Sequence, residues 1–239
     1  MVVKSELKLI KSLQQKKYRN EHGLFVIEGK KSIEELVGSN FKCYGIFATA
    51  PNELNLGDSR VNLISAKELA QISSLKNPNG YLGVFHIPKK EMDILSDWIM
   101  VLDGVQDPGN LGTIIRLCDW FGVTDIVCSL DTVDCYNAKV LQATMGSIAR
   151  VNVHYVDLDS FLRSADLPVY GTFMDGSNIN TYSLPKKGIM VMGNEGKGIS
   201  SRVTELCTDK IAIPQFGNQT TESLNVASAT AILLHEIRK

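Results

Sequence analysis

The sequence lacks a long apolar run, a cysteine framework and a histidine cluster. No hydrophobic stretch reaches the roughly 18–20 residues that span a bilayer, which excludes a helical membrane protein. The five cysteines (Cys43, Cys118, Cys128, Cys135, Cys207) are odd in number and form no CxxC pair, so neither a disulfide framework nor a zinc site is expected. The four histidines (His22, His86, His154, His235) lie far apart without ligand spacing, and no metal is expected. The start, Met1 to Lys8, has charges where a signal peptide needs apolar residues, so a cytoplasmic protein is expected.

What is present is an ordinary globular composition. Hydrophobic residues make up 44% and charged residues 21% of 239, enough to build a real core in one large domain or a small and a medium one. The formal net charge of -1 hides an asymmetry. Residues 1–31 hold eight Lys/Arg (Lys4, Lys8, Lys11, Lys16, Lys17, Arg19, Lys30, Lys31) against three Glu, a local +5 that leaves about -6 for the rest. Such a segment is either a phosphate-binding surface or a solvated amphipathic helix.

Apolar periodicity orders the elements. Leu7, Ile10 and Leu13 recur at helical spacing with Lys8 and Lys11 between them, predicting an amphipathic helix with a basic outer face. Phe25–Ile27, Tyr44–Ala48, Val61–Ile64 and Tyr81–Ile87 read as short strands, and 30–38 as a helix. Ser65 with Glu68 forms a capping box before a further helix. The segment Pro88-Lys89-Lys90-Glu91 is short and polar and serves as the linker, giving domains 1–90 and 91–239. Beyond it the strands Trp98–Leu102, Asp125–Ser129, Val151–Tyr155, Val169–Met174, Ile189–Met192 and Ile211–Ile213 alternate with helices over 110–121, 137–147 and 226–238. That alternation implies an α/β domain with a mostly parallel sheet covered on both faces.

Three Gly-rich segments carry the chemistry. The first is Asp107-Pro108-Gly109-Asn110-Leu111-Gly112, running on to Arg116. Asn110 is either a helix N-cap or a site residue. Arg116 stands among Ile114, Ile115, Leu117 and Cys118, and a guanidinium buried there needs an acidic partner or a phosphate. The second, Gly193-Asn194-Glu195-Gly196-Lys197-Gly198, follows an apolar strand. It is not a Walker loop, because Ile199 stands where Lys is required, and not a clean dinucleotide fingerprint, which weakens a dehydrogenase reading. Glu195 in such a turn suits a ligand hydroxyl or a base such as Arg116. The third is Glu222-Ser223-Leu224-Asn225-Val226, where Ser223 or Asn225 caps the last helix.

The order, spacing and company of these segments resemble the three motifs of the SpoU (TrmH) family of RNA ribose methyltransferases. The resemblance runs from about Val101 to Glu236 and includes Asp134, Asn137, Lys139 and Gly146. It implies a parallel sheet with a C-terminal trefoil knot, which general topology rules would not propose. The first ninety residues are similar to a small RNA-binding α/β module, through Arg19, Phe25, Glu28 and Gly29. Two departures stand out: Gln142-Ala143-Thr144 replaces a common Arg-Ala-Ser, and 214–222 is longer than usual.

The resemblance implies methyl transfer from S-adenosylmethionine to a ribose 2′-hydroxyl of RNA, with ribosomal RNA favoured, by a homodimer. Transfer RNA and a catalytically silent RNA-binding role are the alternatives. Asn110, Arg116, Glu195, Ser223 and Asn225 would surround the reacting ribose, with Glu195 orienting Arg116. Gly193, Asn194, Glu195, Gly196, Ile213 and Leu224 would form the cofactor pocket. Lys16, Lys17, Arg19 and Arg116 would hold RNA, and Phe25 or Tyr18 is either a base-stacking residue or core.

Overall fold

The computed structural model describes residues 3–50, 61–88, 92, 94, 96–217 and 222–239. Lys89, Lys90 and Glu91 of the expected linker lie outside these, as do residues 218–221 of the lengthened segment. The chain forms two compact units, Met1–Glu91 with Tyr136–Ala149, and Met92–Cys135 with Arg150–Lys239.

The first unit begins with α1 (Lys4–Ser12) and α2 (Lys16–His22), then β1 (Leu24–Glu28), α3 (Lys30–Val37), β2 (Cys43–Ala48), β3 (Val61–Leu63), α4 (Ala66–Ile72) and β4 (Tyr81–His86). Its sheet runs β1-β4-β2-β3, with β4 antiparallel to both neighbours and β2 parallel to β3. Leu7, Ile10 and Leu13 are buried against Leu24, Phe47, Leu69 and Ile72, as the helical spacing requires. Ser65 and Glu68 form the expected capping box.

Arg19, assigned to RNA by the sequence, turns inward, and so does Phe25, left open between base stacking and core. Arg19 is only 3% exposed, and its guanidinium donates to the Leu13 and Gln14 carbonyls at 2.9 and 3.0 Å. Those carbonyls end α1 and have no helical partner of their own, so Arg19 satisfies them and is no RNA contact. Phe25 is fully buried, with its ring 4.6 Å from Tyr136 and 5.7 Å from Phe41, so it is core and not a base-stacking residue. The other seven cations of residues 1–31 are exposed, including Lys16 and Lys17.

The second unit opens with β5 (Trp98–Leu102), α5 (Pro108–Trp120) and β6 (Asp125–Ser129). The chain then adds α6 (Ala138–Thr144) and a 3-10 turn, Ser147–Ala149, to the first unit. The helix expected over 137–147 stops at Thr144 because Met145 and Gly146 take positive φ values of 52° and 95°. Back in the second unit follow β7 (Asn152–Val156), α7 (Leu158–Ser164), β8 (Val169–Asn178), β9 (Gly188–Met192), α8 (Ser201–Thr204), β10 (Asp209–Ala212) and α9 (Val226–Ile237). The sheet order is β10-β8-β9-β5-β6-β7, and every pair is parallel.

Every residue of β5, β6 and β9 is buried, as befits central strands of a parallel sheet. Ile99, Val101, Ile189 and Val191 pack with Leu158, Leu162 and Val203 of α7 and α8. The alternate residues Met100 and Met190 point to the opposite face. α5 and α9 pack against one another. Two features of this sheet place the site. From β5 the chain proceeds to β6 and β7 on one side, then returns to fill β8 and β9 on the other, so a topological switch point lies between β5 and β9. The β8–β10 register also jumps: Lys210 pairs with Gly171, but Ile211 pairs with Ser177. Residues 172–176 of β8 are thereby looped out of the ladder.

A buried carboxylate fixes the opposite, amino-terminal edge of the sheet. Asp125, 1% exposed, accepts from Ser96 Oγ at 2.6 Å, Thr124 Oγ1 at 3.0 Å and Asn152 Nδ2 at 3.0 Å, and His154 Nε2 lies 3.5 Å away. Burial alone would raise its pKa, but His154 and these hydrogen bonds outweigh burial and hold it well below the usual carboxylate range. Its contribution to stability is therefore complete at neutral pH. It declines as pH falls below the unfolded value of about 3.9 toward the lower folded one. Asp125→Asn should lose about 1–3 kcal/mol at pH 7, and its deficit against wild type should shrink as pH is lowered through 4. Urea titrations at pH 7 and pH 3.5 measure both; a constant deficit would refute the assignment.

Candidate active site

The loops that leave β5 and β9 at the switch point are laced together. Asp103 N donates to Met192 O at 2.9 Å, Ser200 N to Asp103 Oδ2 at 2.7 Å, and Asn194 Nδ2 to Gly104 O at 2.6 Å. Asn194 also accepts the Gly196 and Lys197 N–H groups at 3.0 Å each, while its backbone exchanges two 2.9 Å bonds with Gly198. The turn closes so tightly that a Cβ on Gly193 would lie 2.3 Å from Gly198 C and Ile199 N. Gly198 holds a φ of 69°, a left-handed conformation that glycine adopts without strain.

Glu195 joins the two loops. Its Oε1 accepts from Asn110 Nδ2 at 3.0 Å and Asp107 N at 3.1 Å, and its Oε2 from Gln106 N at 3.2 Å. Partial burial would raise the Glu195 pKa. The Asn110 amide and the backbone N–H groups prevail and lower it, so the carboxylate stays ionised. Asn110 passes the connection on, because its Oδ1 accepts from Asn225 Nδ2 at 2.9 Å. Asn225 Oδ1 in turn caps α9, accepting from Ala227 N at 3.0 Å and Ser228 N at 3.2 Å.

The alternatives left open by the sequence resolve as follows. Asn110 is not the N-cap of α5: Asp107 caps it, Pro108 occupies the first turn, and the Asn110 side chain is released to the site. Asn225, not Ser223, caps α9, yet its amide nitrogen still reaches Asn110. Asn110, Glu195 and Asn225 thus form one hydrogen-bonded chain, with Ser223 two residues from its end. Arg116 does not join it. It is exposed on α5 and has no hydrogen bond or ion pair among the described residues, so neither the buried acidic partner nor the Glu195 pairing is present. The reason is helical geometry: six residues past Asn110, Arg116 lies about 9 Å along the axis and on a different face.

Beside this chain lies a cavity of about 620 Å³. All six residues expected around a cofactor line it: Gly193, Asn194, Glu195, Gly196, Ile213 and Leu224. Ser223 and Asn225 line it as well. The sequence missed Thr172, Phe173 and Met174, which belong to the looped-out part of β8 and add to the cavity lining. Reading 169–174 as a strand gave no sign of the register jump that turns them into the cavity. Volume, apolar side chains and dense backbone polar groups suit a purine-bearing cofactor of drug-like size. No group of three or more His, Cys, Asp or Glu side chains that could hold a metal occurs among the described residues.

Fold and cavity together define an α/β protein that holds a nucleotide-like cofactor at the carboxyl ends of parallel strands. Residues 97–235 match the SpoU rRNA Methylase family, and residues 4–83 match the MRM3-like substrate binding domain. The 23S rRNA (guanosine(2553)-2′-O)-methyltransferase RlmP of Bacillus subtilis is 30% identical over 95% of this chain and 94% of its own length. The 23S rRNA (guanosine-2′-O-)-methyltransferase RlmB of Neisseria meningitidis is 29% identical over 90% and 86%. Among solved structures, a TrmH-family protein from Porphyromonas gingivalis superposes with a TM-score of 0.92 at 35% identity, covering 100% of this chain and 98% of that one. An AdoMet-bound rRNA methyltransferase from Sinorhizobium meliloti gives 0.88 at 28% identity, covering 100% and 96%. The chain belongs to the SpoU rRNA methylase family, and its cofactor is S-adenosylmethionine.

Gly193→Ala should force the 193–199 turn open and weaken S-adenosylmethionine binding by about tenfold or more, measured by calorimetry. Asn110→Ala removes the side-chain hydrogen bond that helps to depress Glu195. The Glu195 pKa should rise in that variant, read by carboxyl-carbon NMR titration; an unchanged value would mean that Asn110 does not sustain the charge.

Proposed function

We propose that this protein transfers a methyl group from S-adenosylmethionine to a ribose 2′-hydroxyl of ribosomal RNA. The observation that carries this is the Asn225–Asn110–Glu195 hydrogen-bonded chain along the edge of the cavity. It sets polar groups from three distant segments beside the cofactor wall, where an acceptor hydroxyl must lie. The rRNA specificity of RlmP and RlmB, relatives across nearly the whole chain, supports the substrate class.

When bound, S-adenosylmethionine supplies an electrophilic methyl group on its sulfonium. The chain supplies position and electrostatics. Asn110, Glu195, Ser223 and Asn225 hold the ribose through its hydroxyls, and the ionised Glu195 accepts a hydrogen bond without moving. The Arg116 guanidinium is permanently charged and does not act as a free base. Exposed and without a partner among the described residues, it binds an RNA phosphate near the target ribose from outside the hydrogen-bonded chain. A substrate phosphate takes the proton.

The same reading makes residues 1–90 a substrate-binding domain, with Lys16 and Lys17 among its phosphate contacts, and residues 91–239 a methyltransferase domain with a C-terminal trefoil knot. The enzyme acts in the cytoplasm as a homodimer. Exposed Trp120 on α5 and partly exposed Ile232 on α9, helices that pack together, support an apolar interface there.

Labelled S-adenosylmethionine with separate pools of unmodified ribosomal and transfer RNA tests the reaction. Ribose-methylated nucleoside should come from the ribosomal pool alone. Arg116→Ala and Arg116→Lys should each lose most of the activity, since Lys cannot form the bidentate fork. Methylation of transfer RNA only, or wild-type turnover by Arg116→Lys, would overturn the corresponding part.

A further inference from the structure

Two large apolar side chains stand almost wholly in solvent, Trp120 at 84% exposure and Phe216 at 88%. Phe216 belongs to the segment between β10 and α9. Its neighbours Pro214 and Gln215 line the cavity, and so do Ser223 and Leu224 farther along the same segment. Phe216 itself does not line it. The phenyl ring is therefore displayed outside the cavity, one residue beyond its wall.

A second aromatic, Phe173, lies in the cavity wall but is occupied, with Lys210 Nζ 4.7 Å from its ring centroid. Phe216 has no ring or cation partner among the described residues. Met174 and Leu224, which do line the cavity, are 64% and 51% exposed, so the cavity offers further apolar surface to solvent. The base hangs from the ribose carbon next to the one that carries the 2′-hydroxyl, so a hydroxyl held at the cavity keeps its base within reach of the residues at the cavity mouth. A flat π surface is then needed at the rim, and aromatic side chains are the group that stacks on unpaired bases.

We propose that Phe216 is a positioning residue that stacks on the nucleobase of the nucleotide to be methylated. The proposal rests on the RNA methyl transfer inferred above and adds a residue outside the three Gly-rich motifs. Stacking tolerates any base, so Phe216 supplies affinity and orientation, not base identity.

The test compares wild type with Phe216→Ala, Phe216→Leu and Phe216→Trp, using an unmodified ribosomal RNA transcript. RNA affinity is read by filter binding, cofactor affinity by calorimetry and oligomeric state by light scattering. Phe216→Ala should raise Kd and KM for RNA by about tenfold, with kcat changed less and the Kd for S-adenosylmethionine unchanged. Phe216→Trp should restore RNA binding, whereas Phe216→Leu, apolar but without a π face, should not. Unchanged RNA affinity in Phe216→Ala overturns the proposal. An equal loss of S-adenosylmethionine affinity, or conversion to a smaller oligomer, also overturns it, by placing Phe216 in the cofactor pocket or in a subunit contact. If the wild type binds the transcript but does not methylate it, the activity reading fails, and the affinity comparison still decides the role of Phe216.

Discussion

The carboxylate of Glu195 is the interaction on which the site depends. It draws two backbone N–H groups from the loop after β5 and a side-chain amide from the first turn of α5 to the loop after β9, across 85 or more residues of sequence. Asn110, once held there, reaches Asn225 across a further 115. Partial burial opposes the charge, and the hydrogen bonds that offset it are the ones that fix the site. The members of this network are coupled, so removing one loosens the hold on the others, each of which is at least partly open to water.

That network exists because of where the sheet changes direction. An all-parallel sheet exposes the carboxyl ends of its strands on one edge, and the switch point next to β5 leaves the β5 and β9 loops facing each other without a crossing connection between them. The turn at 193–198, part of the cavity lining, is so tight that it leaves no room for a side chain at Gly193. Thr172, Phe173 and Met174 of the looped-out part of β8 add to the cavity lining. The opposite edge of the sheet, pinned by the buried Asp125, carries stability and no part of this chemistry.

The first unit separates its charges by role. Arg19 is consumed internally as a cap on α1, and the remaining cations of residues 1–31 face solvent. An excess of positive charge on a chain with a formal net charge of -1 is thereby presented as a surface, which favours salt-sensitive phosphate contact. The aromatic that looked suited to bases, Phe25, is core, while Phe216, in no quoted motif, is displayed.

Local chemistry was legible in the sequence. The apolar runs Trp98–Leu102 and Asp125–Ser129, the Ser65–Glu68 capping box and the three Gly-rich segments depend on contacts within a few residues, and period and cap rules read such contacts directly. The parallel α/β class followed from alternation alone. Side-chain direction over long range was not legible. Whether Arg19 and Phe25 point inward, whether Arg116 meets Glu195, and whether Asn110 caps a helix or serves the site depend on partners scores of residues away. The β8 register jump likewise arises only when β10 docks beside it. The amino-acid sequence by itself determined which elements form and which polar residues are available. Tertiary structure decided which of them meet, because burial and hydrogen-bond partners are properties of the packed chain and not of any local stretch.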